Sequence, residues 1–192
     1  MDILTVASKE KFEPLSGLPE SFAVDDEIRA RAIMPEDYEP LATIIVNDPD
    51  IKQFVTWASL VEGPDDIRLA LESRTHGTLL GRYALELTEQ SSVFGYVGIF
   101  PGKQAEEYGF GSFIERSMRR SGAAGRAITT LMNHAIRTLS PEHLYVQIAP
   151  ENTPSVAAAL KHGFKPAEMV WDPDLQLQEQ RFRLEIPSGQ AA

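Results

Sequence analysis

The chain contains no cysteine. Disulfides, thiolate metal sites and a cysteine nucleophile are therefore excluded. It has no run approaching about 18 consecutive apolar residues, so no segment reads as a membrane-spanning helix. The opening MDILTVASKEKFEP lacks a basic stretch ahead of an apolar one, so no secretory leader is expected and a cytoplasmic location is the default. Basic residues are in short supply: 18 Lys and Arg stand against 28 Asp and Glu, a formal charge of -10. Such a balance repels phosphate backbones and anionic lipid, so neither nucleic acid nor a membrane is an expected partner. A cationic substrate, such as an amine, is attracted. The four histidines show no HExxH or other ligand spacing, so no metal is expected. Also missing are GxxxxGK followed by Ser or Thr, GxGxxG after a strand, and the GxSxG elbow of serine hydrolases.

What is present is a single domain's worth of sequence, 192 residues. Residues 1–26 mix Ser, Glu, Pro and Gly with spaced apolar residues and read as an N-terminal arm. The domain is expected over 27–186, with a tail at 187–192. Glu27 to Ile33 reads as a strand. Pro35-Glu36-Asp37 then opens a helix whose apolar face runs through Leu41, Ile44 and Ile45 and on to Ile51, Phe54 and Val55. Gly63-Pro64-Asp65-Asp66 starts a second helix, which Gly77 ends. Three strand-like runs follow, at 79–87, 92–100 and 108–115. Glycines within the last suggest a bulge or a close approach by another group.

Ala124, Ile128, Leu131, Met132, Ala135, Ile136 and Leu139 then mark the clearest helix. His143 to Ala149 alternates Leu144, Val146 and Ile148 against Tyr145 and Gln147, a further strand. Asn152-Thr153-Pro154 starts a helix that Gly163-Phe164 ends, and two short strands follow around 169–171 and 181–186. The pattern gives a mixed α/β fold, a mainly antiparallel sheet flanked by helices.

The chemistry concentrates where a strand passes through Arg119-Arg120-Ser121-Gly122-Ala123-Ala124 into the long helix. A loop of small residues feeding a helix N-terminus presents amides with no partner inside the helix. With the helix dipole they form an anion site suited to a phosphate or diphosphate. A plain turn is the competing reading of the same residues.

Arg119-x-x-Gly122-x-Ala124, followed about thirty residues later by Asn152-Thr153-Pro154-Ser155 and Lys161-His162-Gly163-Phe164, resembles the GNAT family of N-acetyltransferases. The match is to its RimJ/RimL-like branch and spans about residues 27–186. The resemblance implies a sheet splayed between the fourth and fifth strands, counting from the strand at residue 27. The splay would hold the pantetheine arm of acetyl-CoA along Phe113, Ile114 and Glu115. The diphosphate would sit on Arg119, Arg120, Ser121, Gly122, Ala123 and Ala124. Asn152 would bond the pantetheine, and Trp57 and Tyr108 would border the acceptor.

Transfer to an amine needs that amine neutral. For a lysine side chain at pH 7 this costs about 4.6 kcal/mol, for an α-amino group only about 1 kcal/mol. With no cysteine to carry the acetyl group, direct attack in a ternary complex is expected. Candidate bases are Glu106 and Glu107. In the RimJ/RimL-like branch a Glu frequently stands two residues before a strand glycine. Glu107 stands so before Gly109, yet counting back from the loop aligns Gly111 and puts Gly109 at the Glu position. Both alignments stand at this point, as does the reading of Glu106 and Glu107 as solvated loop acids. Ser155 occupies the position expected to serve the leaving thiolate, or else caps its helix. Ala159 stands where many family members carry a Tyr. Acetyl-CoA and an amine, a polypeptide N-terminus or a small molecule, are the expected partners, and a homodimer stays open. The alternative is a catalytically weak acyl-CoA-binding regulatory module of the same fold.

Overall fold

The computed structural model describes residues 17–72, 80–172 and 177–187. Among the described residues eight strands form one sheet in the order β1-β2-β3-β4-β5-β6-β8-β7. They are β1 (Ser21–Ala23), β2 (Ile28–Ala32), β3 (Gly81–Leu87), β4 (Ser92–Pro101), β5 (Glu107–Ile114), β6 (His143–Ile148), β7 (Lys165–Asp172) and β8 (Leu177–Glu185). The α-helices among the described residues are α1 (Tyr38–Val46), α2 (Pro49–Phe54), α3 (Pro64–Glu72), α4 (Ala123–Leu139) and α5 (Thr153–Lys161). All strand pairs are antiparallel except β5 with β6. The expected mixed α/β fold is therefore the observed one. Gly77, read as a helix end, lies outside the described residues.

The period-two alternation of the strands divides the apolar residues between two cores. On one face α4 buries Ala123, Ala127, Leu131, Met132 and Ala135 against Val97, Ile99, Phe110, Leu144 and Phe182. α5 adds Ala159 to the same cluster. On the other face Leu41, Ile44, Ile45, Ile51, Val61 and Ile67 pack against Ala84, Tyr96 and Phe113.

Two local readings are corrected. The apolar stripe from Leu41 to Val55 is not one helix. Asp48 leaves helical geometry, its side chain accepts from the Asp50 amide at 3.1 Å, and Pro49 opens a new helix behind it. The N-terminal arm also contributes a strand. Ser21–Ala23 pairs with Arg29–Arg31 and drives Phe22 into the core, 5.0 Å from the Tyr83 ring and 5.1 Å from the His134 ring. The Tyr83 hydroxyl donates to the Pro19 carbonyl at 2.9 Å. The strands numbered fourth and fifth from residue 27 are consequently β5 and β6.

Candidate active site

β5 and β6 are paired only at Glu107–His143, Tyr108–Leu144 and Gly109–Tyr145. Beyond these both strands continue, β5 to Ile114 and β6 to Ile148, without pairing to each other. The sheet therefore splits into a V that opens toward the loop after β5. Alternation along β5 decides which groups face the gap. The Glu115 amide donates to the Phe94 carbonyl and the Glu107 carbonyl accepts from Gly102, so odd-numbered residues spend their peptide groups on the β4 side. The Phe110 amide closes the last rung, at Tyr145, and the peptide groups of Ser112 and Ile114 point into the V. Of the three residues assigned to the pantetheine, Ile114 offers its backbone to the gap. Phe113 turns its ring into the second core, stacked on Tyr96 at 5.5 Å, and Glu115 is exposed.

At the mouth of the V a 3-10 turn (Arg116–Met118) leads into the loop 119–122 and then α4. Gly122 caps α4 in left-handed geometry, φ 82°, and Arg120 also has φ 63°. Arg120, Ser121 and Gly122 are exposed. Ser121 Oγ donates to the Met118 carbonyl at 2.7 Å and accepts from the Ala123 amide at 3.2 Å. The amides of Ala124 and Gly125 lie in the first helical turn and face out of it. The loop is held from behind. Arg126 Nη1 donates to the Ser121 carbonyl at 2.9 Å and its Nε to Asp25 at 2.8 Å, which ties the loop to the β1–β2 turn.

Arg119 points elsewhere than its sequence reading suggests. Its guanidinium bonds Asp48 and, at 2.8 Å, Asp50, and Arg116 reaches the same two carboxylates at 3.3 Å. Burial pushes the Asp48 carboxyl up, but the hydrogen bonds from Arg116 and Arg119 more than reverse this and leave it below the ordinary carboxylate range. The anion loop is thereby bolted to α2. With Arg119 so engaged, the groups this loop leaves facing outward are the first-turn amides of α4, at the positive end of its dipole, and the exposed Arg120.

Glu107 is not a solvated loop acid. Its side chain is 0% exposed, while the neighbouring Glu106 is exposed. Glu107 Oε1 accepts from Arg181 Nη1 at 3.3 Å and Arg183 Nη2 at 3.4 Å. Oε2 is buried without a hydrogen-bond partner. Arg181 also donates to Gln147 Oε1 at 3.2 Å and lies 4.3 Å from the centre of the Tyr145 ring. Gln147 Nε2 in turn donates to Glu179 at 3.1 Å. Residues from β5, β6 and β8 thus form one polar network on the sheet face opposite α4. Sequence reasoning missed Arg181, Arg183 and Glu179; the alternation of Tyr145 and Gln147 against Leu144 and Val146 was the one signal pointing to this face.

Tyr108 stands on the other face, packed on the α4 core, so Glu107 and Tyr108 do not come together. Trp57 falls in the 3-10 stretch Thr56–Leu60, and its side chain lies outside the described residues. Asn152 is the N-cap of α5, its side chain accepting from the Ser155 amide at 3.3 Å. The capping role belongs to Asn152, which leaves the partly exposed Ser155 hydroxyl without a capping duty. Ala159 is buried in the α4-side core. Among the described residues no group of His, Asp and Glu is placed to hold a metal, and no helix is long and apolar enough to cross a membrane.

A split sheet with an anion loop at its mouth defines an acyl-CoA N-acyltransferase fold. The sequence model of the acetyltransferase (GNAT) domain matches residues 27–165, and the chain belongs to this family of acetyl-CoA-dependent N-acetyltransferases. Solved structures agree in fold. The self-immunity acetyltransferase MccE, bound to acetyl-CoA and AMP, has TM-score 0.73 and 16% identity, covering 89% of this chain and 99% of that one. RimL, a ribosomal alpha-N-protein acetyltransferase bound to coenzyme A, has TM-score 0.71 and 16% identity, covering 87% and 98%. RimJ of Mycobacterium smegmatis, with a CoA disulfide, has TM-score 0.65 and 17% identity, covering 82% and 81%. No curated protein matches the chain in sequence.

Proposed function

We propose that the chain transfers an acetyl group from acetyl-CoA to a primary amine by direct attack within the V. The observation that carries this reading is the coincidence of two features: peptide groups of Ser112 and Ile114 that lie beyond the last β5–β6 rung, and an exposed amide-rich turn at the same mouth. A pantetheine arm carries two amides, so it suits an open strand edge. The diphosphate suits the turn of Arg120 to Gly125.

In the transfer the amine nitrogen attacks the thioester carbonyl carbon. A C–N bond forms, the C–S bond breaks, the amine gives up a proton, and CoA leaves as a thiolate that takes one. Ser155, at the first turn of α5, is the proposed donor to that thiolate. Glu107 lies behind the Phe100 and Tyr145 rings, fully buried and paired with Arg181 and Arg183, so its proposed part is to take the amine's proton through a water relay and not by direct contact. The net charge of -10 favours a cationic acceptor, either a polypeptide N-terminus or a small amine.

Acetyl-CoA is expected to raise the melting temperature, and an amine panel is expected to release free CoA. Thermal stabilisation with no CoA release from any amine would instead favour the acyl-CoA-binding module, which the burial of Ala159 at the family's Tyr position supports. No stabilisation by CoA would end both readings.

A further inference from the structure

Two glycines two residues apart on β5 have opposite surroundings. A Cβ built on Gly111 would meet only Phe100 Cε1, at an ordinary 3.7 Å. A Cβ on Gly109 would lie 2.3 Å from Phe100 Cε2 and 2.5 Å from Tyr145 Cζ. The strand is therefore open at Gly111 and walled off at Gly109, the last residue paired with β6. The wall consists of the Phe100 and Tyr145 rings, edge to face with centroids 5.8 Å apart. Such pairs hold a preferred geometry. Arg181 braces the Tyr145 ring from behind, and Arg181 is itself fixed by Glu107 and Gln147. Tyr145 is 4% exposed, so the ring has little room to yield.

We propose that Phe100 and Tyr145 set the acyl-chain length, admitting a two-carbon acyl group and refusing longer ones. This rests on the reading of the V as the acyl-CoA cleft. The thioester is the end of the cofactor farthest from the diphosphate. With the diphosphate at the mouth, it arrives at the vertex, roughly 17 Å along β5 from Ile114 at about 3.4 Å per residue. There the chain beyond the carbonyl runs into the wall. A braced wall resists each added methylene, and one misfitting methylene is worth roughly tenfold or more in discrimination.

The test needs no acceptor. Affinities of CoA, acetyl-CoA and butyryl-CoA are measured by calorimetry on the full chain. The wild type is expected to bind acetyl-CoA at least about tenfold more tightly than butyryl-CoA. Tyr145→Ala and Phe100→Leu are expected to bring the two within about threefold by improving butyryl-CoA binding, and Tyr145→Phe, which keeps the ring, is expected to leave the ratio as it was. If Tyr145→Ala fails to fold, Phe100→Leu carries the comparison. Equal wild-type affinities, or a ratio unmoved in a folded variant that has lost wall area, would overturn the inference alone. Failure of the wild type to bind CoA or either acyl-CoA would overturn the cleft assignment and this inference with it.

Discussion

Asp48 and Arg119 meet as an ion pair across 71 residues of sequence, joining the cap of α2 to the anion loop. Asp48 does two jobs, capping α2 and anchoring two arginines. Asp48→Asn retains a good cap and removes the charge. The expected loss is about 1–3 kcal/mol, less than for a fully enclosed pair because Arg116 and Arg119 both reach solvent. Urea unfolding measures it; an unchanged midpoint would mean that the bolt contributes nothing to the fold.

Gly122→Asp puts a carboxylate at the mouth of α4 and a side chain at φ 82°. The charge opposes a diphosphate at the same amides, and the backbone is strained by about 1–2 kcal/mol. CoA affinity is expected to fall about tenfold or more. Gly122→Ala, which carries the strain without the charge, is expected to lose less. Equal CoA affinity in Gly122→Asp and wild type would remove the loop from the binding site.

Ser155→Ala is expected to lower kcat by more than it weakens CoA binding, because Asn152 already caps α5 and the serine hydroxyl is free for the leaving group. A variant with wild-type turnover would exclude Ser155 from the chemistry. A drop in melting temperature without a drop in kcat would assign it to the helix instead.

Stability is expected to fall at both pH extremes. For Asp25, Asp48 and Glu86, burial pushes each carboxyl up, but hydrogen bonds outweigh it and leave each pKa below its ordinary value. The bonds come from backbone amides and Arg126 for Asp25, and from paired arginines for the other two. The fold therefore favours the deprotonated forms. Their contribution is complete above the unfolded values near 4 and is lost as pH drops through the lower folded ones. Tyr83 behaves oppositely: burial raises its pKa to about 12, so stability declines as the unfolded tyrosine ionises above about 10. Melting temperatures from pH 2 to 11 should show a plateau with both flanks. A flat acid side would show that the carboxylate–arginine clusters carry no weight.

Local chemistry made much of this molecule legible in advance. Pro64, the Asn152-Thr153-Pro154 start and the apolar period from Ala124 to Leu139 each encode an element in adjacent residues. The turn at 119–124 was readable because its function needs small residues next to a helix start. β1 escaped notice because three residues with one buried side chain, Phe22, give no alternation to count. Glu107 looked like its exposed neighbour Glu106, since what buries it is contributed by Arg181 and Arg183, 74 and 76 residues away. Their presence beside it depends on the β6–β8 ladder, a long-range pairing with no local mark. The wall at Gly109 likewise needs β4, β5 and β6 assembled before the two rings meet.

The short β5–β6 contact leaves the sheet with a seam held at one end. Each half is knitted internally by long antiparallel ladders, while the two halves share three rungs. A molecule lying along the open lip of β5 would serve as a missing rung as well as a reactant.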